Sequence, residues 1–318
     1  MFKLSAKHIQ TGTEILPGEL GGLLDLAIEL KRERKKGLGR DWLTGRSLAM
    51  VFDKPSLRTR FSFSVAMSEL GGTSVESVSA NRKHEEPEDQ ARVLAGYCDA
   101  ILVRTHEDSI IEKMASVSPV PVINGLTQLH HPCQILADLM TLKELFAPAQ
   151  GAHHGLQTMK GLTLSYVGDG NNILHSLLLM APQLGVNIHF ACPIGHQPSS
   201  FVLKKARARA KESGAQITSF ATPAEAVAGA DAVYTDVWTS MGFEAEEKER
   251  EKAFAGYQVN EKLMGLAAKR AVVLHCLPMV RGKEISQNLA DQPCSAIFRQ
   301  SENRLHAQKA LLVGLLKG

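Results

Sequence analysis

Several short stretches of this sequence gather groups that bind anions, share protons or present a nucleophile. In KPSLRTR (residues 54–60) two hydroxyls, Ser56 and Thr59, flank the guanidinium of Arg58 just before the helical pattern FSFSVAMSELGG, in which Phe63, Met67 and Leu70 share one face and Gly71 suits the C-cap. A helix N-terminus offers backbone N–H groups and the positive end of the helix dipole, so with an arginine fork beside it the stretch suits a phosphate. The plainer alternative is that Ser56 or Thr59 caps the helix while the arginines face solvent. HHPCQ (residues 130–134) brings His131, Cys133 and Gln134 near Asp138, but His-x-Cys is not a zinc spacing and no second pair complements it. GDGNNI (residues 168–173) invites a dinucleotide reading that fails twice. Ile173 holds the third glycine position, and the following apolar run, NIHFACP, ends without an acid for a ribose; Asn171 and Asn172 remain as neutral hydrogen-bonding partners. DVWTSMG (residues 236–242) offers the Asp236 carboxylate and the Ser240 hydroxyl, suited to an ammonium group or to a helix cap. HCLP (residues 275–278) ends an apolar run with Cys276, open to three roles: thiolate nucleophile, orienting group or small buried apolar residue.

These stretches follow short β-rich runs that alternate with helical patterns, the signature of parallel sheets with crossover helices. The predicted strands are 47–52, 73–78, 100–104 and 119–124 in the first half, then 162–168, 187–191, 216–220, 232–236 and 271–275. In open α/β sheets ligands bind outside the carboxyl ends of the strands, which is where the polar stretches fall. The helical run 132–146 and the loose polar APAQGAHHG after it mark the domain boundary. We expect an α/β protein of two domains, each a parallel sheet flanked by helices: 1–147, 148–296, and a C-terminal helix, 297–318, packing back on the first domain.

Composition fits this frame. The 318 residues are 44% hydrophobic and 22% charged, with a formal net charge of only +3, so neither a nucleic-acid surface nor a membrane partner is expected. KRERKKG (residues 31–37) lacks interleaved aromatics and reads as a solvated helix face. Five scattered cysteines without a CxxC pair point to a reducing compartment. With no signal pattern at the N-terminus and no apolar stretch near the ~18 residues needed to span a bilayer, the expected location is the cytoplasm, or a matrix after loss of a transit segment.

In order, KPSLRTR, RVLAGYCDAILVRT, HPCQILADL, GDGNNILHS, DVWTSMG, HCLP and ENRLHAQKALL resemble the aspartate/ornithine carbamoyltransferase family, on its ornithine branch, over nearly the whole chain. The resemblance implies transfer of a carbamoyl group from carbamoyl phosphate to the side-chain amine of L-ornithine, a step of arginine biosynthesis and the urea cycle. It implies no cofactor and no metal, and a homotrimer or a multiple of trimers. Carried over by motif, Ser56, Leu57 (through its backbone), Arg58 and Thr59 hold the phosphate; Arg104, His131, Gln134 and Arg304 complete the carbamoyl phosphate site. Arg104, His131 and Thr59 would hydrogen-bond the carbonyl oxygen. Asn172, Asp236, Ser240 and Met241 match ornithine-binding positions, while Cys276 and the Leu277 carbonyl, counted with the carbamoyl phosphate site, would lie beside the reacting amine. The catalytic set is thus Arg58, Arg104, His131 and Cys276.

Two departures stand out. Leu57 replaces the threonine of the usual STRTR, removing a hydroxyl, and the glutamine that usually reaches a neighbouring subunit's site falls at Ala80, beside Asn81 and Arg82. Rival acceptors are N-acylornithine, putrescine and aspartate. HPCQ and DVWTSMG in place of HPTQ and an arginine-rich site disfavour aspartate, and an apparent α-amino-acid reader disfavours putrescine.

Overall fold

The computed structural model describes residues 2–78, 85–146, 159–239 and 244–317. In chain order the first half holds α1 (Pro17–Lys35), β1 (Ser47–Phe52), α2 (Arg58–Glu69), β2 (Thr73–Val78), α3 (Pro87–Ala95), β3 (Ala100–Arg104), α4 (Asp108–Val117), β4 (Val122–Leu126) and α5 (Pro132–Phe146). The second half holds β5 (Thr163–Val167), α6 (Asn172–Met180), β6 (Asn187–Ala191), α7 (Ser200–Ser213), β7 (Ile217–Ser219), α8 (Pro223–Val227), β8 (Ala232–Thr235), α9 (Glu247–Ala253), α10 (Glu261–Met264), β9 (Val272–His275) and α11 (Ile297–Leu316). The chain forms two compact units. One takes the chain up to Met140 and again from Glu302; the other ends at Ser301, so α11 begins in the second and continues in the first.

The first unit is built on a four-stranded parallel sheet in the order β2-β1-β3-β4. The five residues of β3 are all buried, as a central strand covered on both faces requires. One face packs Ala49, Val51, Ile101 and Val103 against Ala91, Ile111 and Met114 of α3 and α4. The fourth strand starts at Val122, three residues later than the sequence pattern predicts, because Pro119 and Pro121 have no N–H to give the ladder. Pro121 contributes only its carbonyl, to Ile101 N. At its far end β4 slips register between Val103 and Arg104, with Gly125 as the extra residue. A Cβ on Gly125 would stand 3.2 Å from Val103 O, a tight contact that a glycine avoids.

The second unit carries the parallel sheet β7-β6-β5-β8-β9. Each sheet reverses its winding once, between β1 and β3 in the first and between β5 and β8 in the second, and a crevice for ligands is expected beyond the strand ends at such a switch point. Among the described residues no helix is long and apolar enough to cross a membrane.

The expected solvated face of residues 31–37 holds from Arg32 to Gly37, which are exposed or half-buried, but fails at its first residue. Lys31 is buried, donating to Asn303 Oδ1 at 2.6 Å and pairing with Glu302 at 3.3 Å. It lies one turn beyond Ala27, on the stripe Leu20, Leu23, Leu24, Ala27, so helical periodicity carries it inward despite its charge.

Near it, buried His306 is held to about pKa 4, first by burial and then by the nearby cations Lys31 and Lys309, against the opposing pull of Glu302. The unfolded chain takes up this proton near pH ~6.5 and the folded chain does not, so stability present above that pH is lost as the pH falls towards 4, by up to about 3 kcal/mol. Urea melts at pH 7 and pH ~4.5 should therefore show a smaller acid-induced loss in His306→Gln than in the parent, by roughly 2 kcal/mol.

Candidate active site

In the first unit the β1–β3 register sets Phe52 opposite Arg104, and Asp53 N bonds Arg104 O at 2.9 Å, so the loop leading to α2 leaves the sheet beside the Arg104 side chain. The N-cap of α2 is Leu57, which makes no side-chain capping bond and is 67% exposed. Neither Ser56 nor Thr59 is thus the cap. Thr59 instead turns inward and is buried. Its Oγ1 accepts from Arg304 Nη2 at 3.1 Å and from Arg104 Nη1 at 3.4 Å. A hydroxyl has two acceptor positions and one proton, so with both lone pairs engaged Thr59 has only its donor left to offer. The two arginines of KPSLRTR part company: Arg60 pairs with Glu76 at 2.8 Å and lies over the Phe52 ring, whereas Arg58 acts electrostatically on His131.

His131 arrives from the other side of the switch. After β4 the chain turns through Thr127, whose N–H bonds His130 O at 2.8 Å and whose hydroxyl donates to Asp108 at 2.6 Å. Pro132 then opens α5, where a missing N–H costs nothing. His131 is buried, and burial together with Arg304, Arg104 and Arg58 holds its pKa well below the usual imidazole range. It is therefore neutral at pH 7. Gln134, one turn on, accepts from Arg304 Nη1 at 2.7 Å and donates to Asp138 at 2.8 Å. Cys133 serves the core: its thiol, buried against Asn124 O at 3.3 Å, has its pKa pushed up to about 12.

The second unit assembles its own cluster by register. Thr235 of β8 pairs with His275 of β9, so the next residues, Asp236 and Cys276, are neighbours, and the Cys276 thiol donates to Asp236 Oδ1 at 2.9 Å. Asp236 Oδ2 accepts from Asn171 Nδ2 at 2.7 Å. Asn171 caps α6, its Oδ1 accepting from Ile173 N and Leu174 N, which fixes the amide so that its nitrogen faces the carboxylate. Asn172 follows, half-buried at the first position of α6. Leu277 is held at φ 61, a conformation disfavoured for a branched side chain. It is braced by its N–H on His275 Nδ1 at 2.9 Å, which leaves the ring proton on Nε2 for Glu284 Oε1 at 3.1 Å. Asp236, His275 and Cys276 have ligand-type atoms within 4.8 Å of one another, but both imidazole nitrogens already have these protein partners.

The glycine loop also has a local reason. A Cβ on Gly170 would lie 2.3 Å from Gln197 C and Pro198 N, so the space beside that glycine is filled by backbone, not by a pyrophosphate. Of the residues expected from sequence, the first unit brings together Thr59, Arg104, His131, Gln134 and Arg304, and the second Asp236, Cys276 and Leu277. Ser240 and Met241, and Ala80 with Asn81 and Arg82, lie outside the described residues. Sequence reasoning did not single out Asn171 as the group orienting Asp236, although an asparagine directly before an apolar helical run is a cap signal. Glu284, nine residues beyond its histidine, carried no such signal.

Two family models match, in the same order as the two clusters. Residues 7–144 match the carbamoyl-P binding domain of aspartate/ornithine carbamoyltransferase, and residues 160–315 match its Asp/Orn binding domain. The chain belongs to the aspartate/ornithine carbamoyltransferase family. Among its relatives is an ornithine carbamoyltransferase of Anoxybacillus flavithermus, 46% identical over 99% of this chain and 98% of that protein. This carbamoyltransferase fold also superposes on solved structures. The ornithine carbamoyltransferase from Pyrococcus furiosus gives a TM-score of 0.92 at 41% identity, covering 100% of this chain and 99% of the other. The anabolic ornithine carbamoyltransferase from Campylobacter jejuni gives 0.89 at 35% identity, covering 98% and 99%.

Proposed function

We propose that this carbamoyltransferase moves the carbamoyl group of carbamoyl phosphate to the side-chain amine of L-ornithine, giving L-citrulline and phosphate. The observation that carries this reading is the meeting of Arg104 and Arg304 on Thr59 Oγ1 beside a neutral His131, a donor-rich cradle for an anion that also bears a carbonyl. Ser56, Arg58, Thr59 and the Leu57 N–H hold the phosphate, with Arg304 and Gln134. Arg104, His131 and Thr59 donate to the carbonyl oxygen. Asp236 and Asn172 take the amino-acid end of ornithine, and Cys276 with the Leu277 carbonyl flanks its amine.

The chemistry follows from these donors. The neutral amine attacks the carbonyl carbon; the C=O electrons move onto oxygen, where the positioned donors stabilise them. Each such donor is worth about two to three orders of magnitude in rate. Collapse re-forms the carbonyl and breaks the bond to the phosphate oxygen, and the departing phosphate takes the amine's proton. A free alkyl amine titrates near ~10, so binding must favour its neutral form. The thiol of Cys276 donates to Asp236, a contact that fits the orienting role proposed for it. Cys276→Ser, which keeps a donor to Asp236, should raise the ornithine KM about tenfold while retaining turnover. A carbamoyl-cysteine trapped by mass spectrometry in the parent would contradict this role.

We place the working form as a homotrimer or a multiple of it, following the family resemblance; exposed Leu57 and Phe61, one helical turn apart, fit a contact between copies without fixing their number. Five free thiols fit a cytoplasmic setting. A role in arginine biosynthesis is supported by the likeness to the Campylobacter jejuni enzyme described as anabolic. The reaction itself is tested by mixing purified protein with labelled carbamoyl phosphate and ornithine: citrulline and phosphate should appear one for one, and release of phosphate without citrulline would refute transfer.

A further inference from the structure

Arg304 is gripped by two glutamine amides, each presenting its oxygen. On α5, Gln134 gives Oε1 to Arg304 Nη1 because its Nε2 is committed to Asp138, one turn along the same helix. On α11, Gln308 lies one turn beyond Arg304 itself. Its amide orientation is decided by Ser62. The Ser62 hydroxyl donates to Arg58 O at 2.5 Å and so offers Gln308 only a lone pair. The Gln308 nitrogen must therefore face Ser62, and its oxygen then accepts from Arg304 Nε at 2.9 Å and Nη2 at 3.0 Å. With Arg304 Nη2 also on Thr59, the bonds close a ring: Arg58 carbonyl, Ser62, Gln308, Arg304, Thr59. Gln308 and Ser62 are both removed from solvent, so water is a poor substitute for a lost partner.

We infer that Gln308, oriented by Ser62, is a positioning residue that fixes the Arg304 guanidinium against the start of α2 for anion binding. Neither Gln308 nor Ser62 is assigned to the substrate cradle; both act through Arg304. The inference rests on reading Arg304 as a phosphate-binding group, and it makes the α2–α11 contact part of substrate recognition as well as of packing.

The test is the affinity of inorganic phosphate, measured by calorimetry and as inhibition competitive with carbamoyl phosphate, in parent, Gln308→Met and Ser62→Ala proteins. Gln308→Met removes the acceptor at nearly constant volume, and the phosphate Kd and carbamoyl phosphate KM should rise roughly tenfold. The ornithine KM should stay within about twofold, and Ser62→Ala should shift phosphate in the same direction by roughly threefold. In an Arg304→Met background, Gln308→Met should add less than about twofold, since the residue acts only through that guanidinium. Unchanged phosphate affinity in a folded Gln308→Met protein, equal losses for both substrates, or full additivity with Arg304→Met would overturn the role. If Gln308→Met does not fold, Ser62→Ala decides: unchanged phosphate affinity there overturns it. A parent protein that binds phosphate, loses it in these variants, yet makes no citrulline would reject the proposed reaction and leave the positioning role standing.

Discussion

Arg104→Gln should lower kcat/KM for citrulline formation by about a thousandfold or more, with most of the loss in kcat. Arg104 ends β3 opposite Phe52, buried, with Nη1 on Thr59 Oγ1 at 3.4 Å. A glutamine there keeps a hydrogen-bonding amide but removes the charge and shortens the reach, so in the proposed reaction the negative charge developing on the carbonyl oxygen would lose a charged donor. The same substitution relieves one of the cations that hold His131 neutral. The pH at which activity is lost on the acid side should therefore move upward in Arg104→Gln, because His131 then protonates more readily as the pH falls. The measurement is a steady-state pH profile of both proteins, with melting temperature as the control for folding. A loss confined to the carbamoyl phosphate KM would assign Arg104 to ground-state binding alone.

Asp236→Asn should raise the ornithine KM about a hundredfold while leaving phosphate affinity within about twofold. The carboxylate is surrounded by donors: Cys276 Sγ and Val237 N on Oδ1, Asn171 Nδ2 on Oδ2. An amide in its place presents its own N–H₂ to one of those donors and offers no charge to an ammonium group. Ornithine and phosphate titrated separately by calorimetry give the comparison. Equal weakening of both would show a general loss of structure, not of an amino-acid reader.

Much of this architecture was legible because strand and helix periods are local. The central strands, buried on both faces, are continuous apolar runs such as Ala100–Arg104, and their bounds follow from the sequence almost residue for residue. The fourth strand was misplaced because prolines that look β-compatible by composition cannot enter the ladder as donors. Lys31 departs from its charged neighbours because its place on the α1 stripe outweighs its charge. At the candidate site, the motif resemblance singled out Thr59, Arg104, His131 and Asp236, while residue types and strand ends alone left their roles open. They could not give the partnerships, since Arg304 meets Thr59 and Gln134 across 245 and 170 residues of chain. Nor could they say which way Arg58 and Arg60 face, a choice made by Glu76 on the neighbouring strand. Leu57, a departure from the family pattern, proves to be the N-cap of α2 with its side chain exposed, so under the proposed function only its backbone N–H would face an anion.

The most direct test of the central claim is a competition among acceptors: purified protein, saturating carbamoyl phosphate, and ornithine, acetylornithine, putrescine or aspartate in separate reactions, with ureido product quantified. Ornithine should be preferred in kcat/KM by about a hundredfold or more over each of the others, since each lacks or masks a group that Asp236 or its neighbours would bind. Absence of citrulline with ornithine, or a higher kcat/KM for another amine, would contradict the account.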